Sequence, residues 1–240
     1  MQTFKNILVL LTAAFLCGTP DSFAATRIVV DAGHGGSDAG CRAPGQNEKT
    51  WNLKFAQAFS KALNDAGLDA VQVRAKDDDV SQDKRFEIIN TSGASLAVIF
   101  HADRESSGKV AGPLFVVQPP QTNSIGPEEG LPEAGTIPLG RYRQSLRLAR
   151  LLAGAVGSSA KFCPLSESRA VGAEGADAKG SVLAAPHQSL RYAAVPAVVV
   201  IPLFISHAED LKKYSTDEAV AAFCKALAKG VASYLNGDGR

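Results

Sequence analysis

Clustered basic residues interleaved with aromatics are missing from this sequence, and Lys+Arg number 25 against 24 Asp+Glu. That balance argues against a nucleic-acid-binding design. Long apolar runs are missing too: beyond residue 24 no segment is long and apolar enough to span a membrane. Cysteine is scarce, four residues in all, and none sits in a C-x-x-C or His/Cys metal spacing. No H-E-x-x-H pattern joins any of the histidines. Internal repeats and low-complexity linkers are likewise absent. What is present, 240 residues of which 45% are hydrophobic and 20% charged, suffices for one full domain core.

The amino terminus stands apart from that domain. Lys5 supplies a positive n-region, Ile7 to Leu16 an apolar h-region, and Ser22-Phe23-Ala24 small residues at the positions that a signal peptidase reads. Residues 1–24 therefore read as a signal peptide, cut before Ala25 or one residue later, which places the mature chain in the periplasm or outside the cell. Leu16 is too bulky for a lipoprotein site at Cys17. Of the remaining cysteines, a Cys163–Cys224 disulfide is compatible with an exported compartment, while the plainer reading of Cys41, Cys163 and Cys224 is small buried hydrophobes.

The strongest local signal runs from Arg27 to Gly36. Ile28, Val29 and Val30 form a continuous β-branched run that fits a strand covered on both faces. Gly33, Gly35 and Gly36 let the chain turn sharply, with His34 at the strand's carboxyl end, where open α/β sheets gather their ligands. A loop rich in glycine and polar residues leads to a helix over 48–66, stopped by Gly67. A strand over 70–74 follows. Asp77 to Asp79 reads as a solvated loop whose acids are also placed to cap a helix running from Ser81 or Lys84 to Ser92. Leu96 to Phe100 is a second buried strand, with His101 at its end. Further strands are expected over 110–117 and 197–201, and helices over 140–156 and 216–235. Two irregular stretches interrupt the pattern: 118–139, rich in proline and glycine and read as an insertion or lid, and 158–185. The alternation predicts the α/β class: a single domain over 25–240 with a mostly parallel twisted sheet flanked by helices.

His34, Glu48 and His101 are the candidate site. Taken singly each has a plain reading, since a loop histidine is usually structural and a glutamate in a first helical turn usually favours the helix dipole. Together, two imidazoles and a carboxylate are the ligand set of a catalytic zinc that keeps one position open for water, and such a metal suits amide hydrolysis.

The segment Ile28-Val-Val-Asp-Ala-Gly-His-Gly-Gly36, followed by Glu48-Lys49 and Asn52-Leu53, resembles the zinc-dependent N-acetylmuramoyl-L-alanine amidases of the amidase-3 type. Arg74, Arg85, Asn90 and Ala94, then Val98-Ile99-Phe100-His101-Ala102, extend the likeness. So do Pro196-Ala-Val-Val-Val200, Phe204-Ile205-Ser206 and Glu209, so that it spans residues 27–235. It implies that Zn2+ is bound by His34, Glu48 and His101, with Arg74 and Arg85 structural. It also implies that the substrate is the amide joining the muramoyl lactyl group to L-alanine in peptidoglycan. An activator or regulator protein is a further implied partner; nucleic acid and an integral membrane segment are not expected.

One departure stands out. The family carries a catalytic glutamate directly after the apolar run of its last strand, and here that position is Ile201; Leu203 and His207 replace the family's Gly and Asn, and Asp103 stands where Asn is frequent. The proton carrier is thus left unassigned. Glu128, Glu129 or Glu133 from the insertion, or Glu167 or Glu174 from the later loop, are candidate substitutes, each with simple solvent exposure as its plain reading. His187 and His207 are further candidates to assist, although each reads first as surface or satisfied core. Metal activation alone is a second route. A third outcome is a homologue that binds peptidoglycan or regulates without hydrolysing it. A zinc carboxypeptidase on the same scaffold is disfavoured by the flanking sequence. Residues 118–139 sit where some family members carry an autoinhibitory helix, although their prolines and glycines oppose a long one.

Overall fold

The computed structural model describes residues 26–108, 110–120, 137–157 and 182–239. Six strands form one sheet: β1 (Arg27–Ala32), β4 (Asp69–Gln72), β5 (Leu96–Phe100), β6 (Leu114–Val117), β7 (Val182–Ala184) and β8 (Ala197–Ile201). Their order is β4-β1-β5-β8-β6-β7, and every neighbouring pair is parallel except β6–β8. The mostly parallel sheet read from the sequence is therefore present. A separate two-stranded ribbon, β2 (Arg42–Ala43) with β3 (Gln46–Asn47), lies in the loop before the first helix.

Alternation along the strands sorts their side chains between the two faces. Ile28, Val30, Leu96, Val98, Phe100, Val198 and Val200 join the larger core, under α1 (Glu48–Asp65), α3 (Leu139–Val156) and α5 (Asp217–Leu235). Val29, Ala97, Ile99, Val199 and Ile201 face the other way, towards α2 (Gln82–Thr91) with its Phe86 and Ile89. The larger core is anchored by aromatic rings. Phe55 of α1 meets Tyr214 edge-on at 5.1 Å, Phe223 at 5.7 Å and Phe100 in a stacked pair at 6.1 Å. Such pairs add about 0.5–1.5 kcal/mol each beyond their buried area.

Helices start where cap residues permit. The side chains of Asn47, Ser81 and Thr216 accept the backbone N–H three residues on, opening α1, α2 and α5. The expected capping of α2 by Asp77–Asp79 does not occur: Ser81 takes that role, because Asp77 and Asp79 turn back to accept N–H groups of Gly36 and Ser37. The strand expected over 70–74 ends at Gln72, since Arg74 folds under the end of β1. The one expected over 110–117 begins at Leu114, because the Gly112 N–H donates to the Asp210 carboxylate at 3.0 Å and Pro113 has no N–H to offer a ladder. Strand β7 forms where irregular chain was expected, and a short helix, α4 (Ala208–Lys213), lies where no element was assigned from the sequence. The proposed lid lies mostly outside the described residues, as do Glu128, Glu129, Glu133, Glu167, Glu174 and Cys163. Cys224 is a free buried thiol whose Sγ donates to the Phe55 carbonyl at 3.5 Å, rather than half of a disulfide. No helix among the described residues is long and apolar enough to cross a membrane.

Phe55 is 1% exposed at the centre of the aromatic group. Phe55→Ala is expected to cost about 3–5 kcal/mol, visible as a lowered denaturant midpoint at unchanged slope.

Candidate metal centre

The carboxyl ends of β1 and β5 lie side by side, and each carries its histidine to the same edge of the sheet. The Gly33 N–H donates to the Phe100 carbonyl at 3.0 Å, so the β1–β5 ladder continues one step into the turn. A Cβ on Gly33 would stand 2.4 Å from the His101 ring, which explains the glycine. His34 follows in the left-handed region at φ 61°, the only described non-glycine residue there. For a histidine that backbone is costly, and such strain persists where its surroundings over-determine it.

Two buried arginines supply that determination. Arg85 donates from Nη2 to the His34 carbonyl at 2.7 Å and from Nη1 to the Ala32 carbonyl at 2.9 Å, and it pairs with the Asp31 carboxylate. Arg74 donates from Nε to the Ala32 carbonyl at 2.7 Å and from Nη2 to the Gly33 carbonyl at 3.0 Å. Burial pushes the Asp31 carboxyl up from its ordinary value, against the pull of Arg85.

Glu48 opens α1 and points into this turn. Its Oε1 lies 2.7 Å from His101 Nδ1 and 3.2 Å from His34 Nε2, while its Oε2 accepts the Cys41 N–H at 2.9 Å. Burial raises the Glu48 carboxyl, but the hydrogen bonds with His101 and His34 outweigh it and hold the group well below the ordinary carboxylate range. The same contact with Glu48, joined by Asp38, lifts His34 to about 8 despite partial burial. A Cβ on Gly40, at φ +65°, would meet Glu48 Oε2 at 2.5 Å, so that position also admits only glycine.

One ligand atom from each of His34, Glu48 and His101 falls within 4.8 Å of the others. The donor set fits a zinc-like ion: two imidazole nitrogens and a carboxylate oxygen converge, with room for a fourth ligand on the open side. The outward nitrogens are held as well. His34 Nδ1 lies 2.6 Å from Asp38 Oδ2, and His101 Nε2 lies 3.2 Å from Ser189 Oγ, the outer contacts that orient metal-binding imidazoles.

The site opens into a cleft of about 620 Å³ whose walls include Arg85, Asp103, His187 and Ile201. Ile201, on β8, is 5% exposed and presents an apolar wall. His187 is half-buried beside the metal group, its ring 5.1 Å from that of His101, and burial followed by the nearby His101 lowers it to about 4. It is thus neither surface nor core. His207 stays away, its Nδ1 accepting the Asp210 N–H at the start of α4. Asp38 and Ser189 went unassigned in the sequence: Asp38 has a local clue in its spacing of four from His34, whereas Ser189 has none.

This α/β domain brings two histidines and a glutamate together beside adjacent strand ends, a group that could hold a metal ion. The chain belongs to the N-acetylmuramoyl-L-alanine amidase family, whose sequence profile matches residues 28–233. It is 36% identical over 86 residues to the N-acetylmuramoyl-L-alanine amidase AmiA of Escherichia coli, an alignment covering 35% of this chain and 30% of the relative. The chain thus aligns with less than a third of that protein. Its fold matches the N-acetylmuramoyl-L-alanine amidase of Clostridium difficile 630 at a TM-score of 0.66 and 19% identity, covering 90% of this chain and 99% of that one. A TM-score of 0.64, again at 19% identity, relates it to the CwlD amidase of Clostridioides difficile, solved with the GerS lipoprotein and covered over its full length by 89% of this chain.

The raised value of His34 sets a pH dependence. A group lifted from 6.5 to about 8 contributes stability that is whole below pH 6.5 and is lost as pH rises through 8. Metal-free protein is expected to lose on the order of 1–2 kcal/mol between about pH 6 and pH 9 relative to His34→Gln, measured by urea unfolding at each pH.

Proposed function

We propose that this protein is an exported zinc-dependent N-acetylmuramoyl-L-alanine amidase that cleaves the amide between N-acetylmuramic acid and L-alanine in peptidoglycan. The carrying observation is the convergence of His34, Glu48 and His101 at the mouth of a cleft in a chain of this family. Zinc, when bound, supplies Lewis acidity that polarises the amide carbonyl and eases deprotonation of water. The protein's own residues supply the mould. Glu48 contributes Oε1 while the Cys41 N–H fixes its other oxygen. Asp38 holds the His34 ring from behind, and Arg85 and Arg74 hold the backbone that carries it.

Ile201 defines the character of this enzyme. It stands where the family resemblance places a proton-carrying glutamate, and an alkyl chain neither accepts nor donates a proton. Loss of such a group commonly lowers rates ~10²–10⁴-fold. That observation favours a second reading, a family member that binds peptidoglycan and acts as a regulatory or recognition protein with impaired hydrolysis. A regulatory protein partner fits either reading. Residues 1–24 serve as the export signal in both, leading to a periplasmic or secreted location.

The test uses purified protein assayed for zinc per chain and for release of L-alanine-linked peptides from peptidoglycan, beside His34→Ala and Ile201→Glu. Zinc-dependent release that His34→Ala abolishes establishes the amidase, and Ile201→Glu is expected to raise it by about 10²-fold. Stoichiometric zinc and peptidoglycan binding without release establish the second reading. Absence of zinc overturns both.

A further inference from the structure

The segment before β8 places a fixed imidazole beside the metal group. His187 precedes the short 3-10 turn Gln188–Leu190, and its Nδ1 accepts the Ser189 N–H at 3.2 Å. Its own backbone N–H donates to Gln118 Oε1 at 3.0 Å, and its ring sits at a steep angle to that of His101 with centres 5.1 Å apart. A nitrogen that accepts carries no proton, so the ring hydrogen resides on Nε2. Among the described residues Nε2 has no partner, and His187 lines the cleft.

Several other polar groups around the cleft already have partners, although the buried Gln82 Nε2, which also lines it, has none among the described residues. The Arg85 guanidinium gives four of its five N–H groups to Asp31 and to the carbonyls of Val80, Ala32 and His34. The Ser189 hydroxyl faces His101. The Ser81 side chain caps α2, and Ile201 offers nothing polar. An amide presented to the His34–Glu48–His101 group lies against the cleft wall beside it. On the His101 side of that wall stands His187, whose Nε2 has no partner among the described residues.

We propose that His187 is a substrate-binding residue whose Nε2–H donates a hydrogen bond to the carbonyl oxygen of the amide presented to the His34–Glu48–His101 group. The role rests on the peptidoglycan reading above and deepens it. A donor fixed before the substrate arrives needs no reorganisation when charge develops on that oxygen, which is where hydrogen bonds contribute most to acyl transfer. His187 thereby answers part of what Ile201 leaves out: it stabilises the oxygen, although it does not transfer a proton.

The experiment measures binding of N-acetylmuramoyl-L-alanyl-D-isoglutamine to wild type, His187→Ala and His187→Gln, each metal-free and zinc-loaded. Ring ¹H–¹⁵N spectra of the wild type accompany the titrations. The expected results are an Nε2–H tautomer whose resonance shifts on binding and roughly 3–10-fold weaker binding by His187→Ala. Recovery is expected in His187→Gln, whose amide N–H reaches as far as Nε2, with equal zinc content in all three. Equal affinity of wild type and His187→Ala overturns the inference alone. Loss of zinc from His187→Ala also overturns it, because the residue would then act through His101. If His187→Ala does not fold, the wild-type spectrum decides, and an unmoved His187 resonance at saturating fragment overturns the assignment. Failure of the wild type to bind the fragment in either form overturns the peptidoglycan reading and this inference with it.

Discussion

The buried pairing of Arg85 with Asp31 is the constraint on which the site depends. Arg85 is 4% exposed and Asp31 1% exposed, so neither charge has water to fall back on. Taking two ions out of water costs several kcal/mol each, and only good geometry with further hydrogen bonds offsets it. Here those further bonds are the carbonyls of Ala32, His34 and Val80. The pair therefore does two things at once: it joins α2 to the sheet, and it clamps the turn that presents His34. Removing either partner would strand the other charge, a change that costs about 3–5 kcal/mol, and would free a backbone held in the left-handed region.

From that clamp the site follows outward in layers. The clamped turn sets His34; the end of β5 sets His101; α1, started by Asn47, sets Glu48. Each ligand comes from a different element, so each is fixed by a different part of the core. Glycine at 33 and 40 lets these parts approach, since a methyl at either place would collide with His101 or Glu48. Asp38 and Ser189 then restrain the outward nitrogens. Ile201, which belongs to the face of the sheet packed against α2, adds an apolar wall to the cleft beside Val80, Ala102 and Pro186.

Much of this was legible in the chain because its causes are local. β1, β5 and β8 announce themselves as short continuous apolar runs, and the glycines after β1 mark the turn. Glu48 was visible as the opening of an amphipathic helix. Other features were hidden for equally physical reasons. The β2–β3 ribbon has two residues per strand, too few for an alternating pattern to register. Nothing in the composition of β6 states that it runs against β8, because strand direction is set by the connections. Contacts such as His101 with Ser189, separated by 88 positions, leave no trace in spacing. His187 shows this most clearly: a lone histidine in a loop has no pattern at all until the fold sets it beside His101.

The left-handed backbone of His34 carries a consequence for how a metal ion would enter. An unstructured site must order its ligands when the ion arrives, and the entropy of that ordering slows and weakens capture. In this fold the turn is already bent, its carbonyls are already satisfied, and the imidazole is already turned inward by Asp38. Ordering is completed when the sheet assembles, so any group that His34, Glu48 and His101 receive meets a finished mould, with little movement of the chain. A pocket of that kind discriminates by rigidity: an occupant whose preferred distances differ from the spacing of the mould finds no compliant backbone to accommodate it.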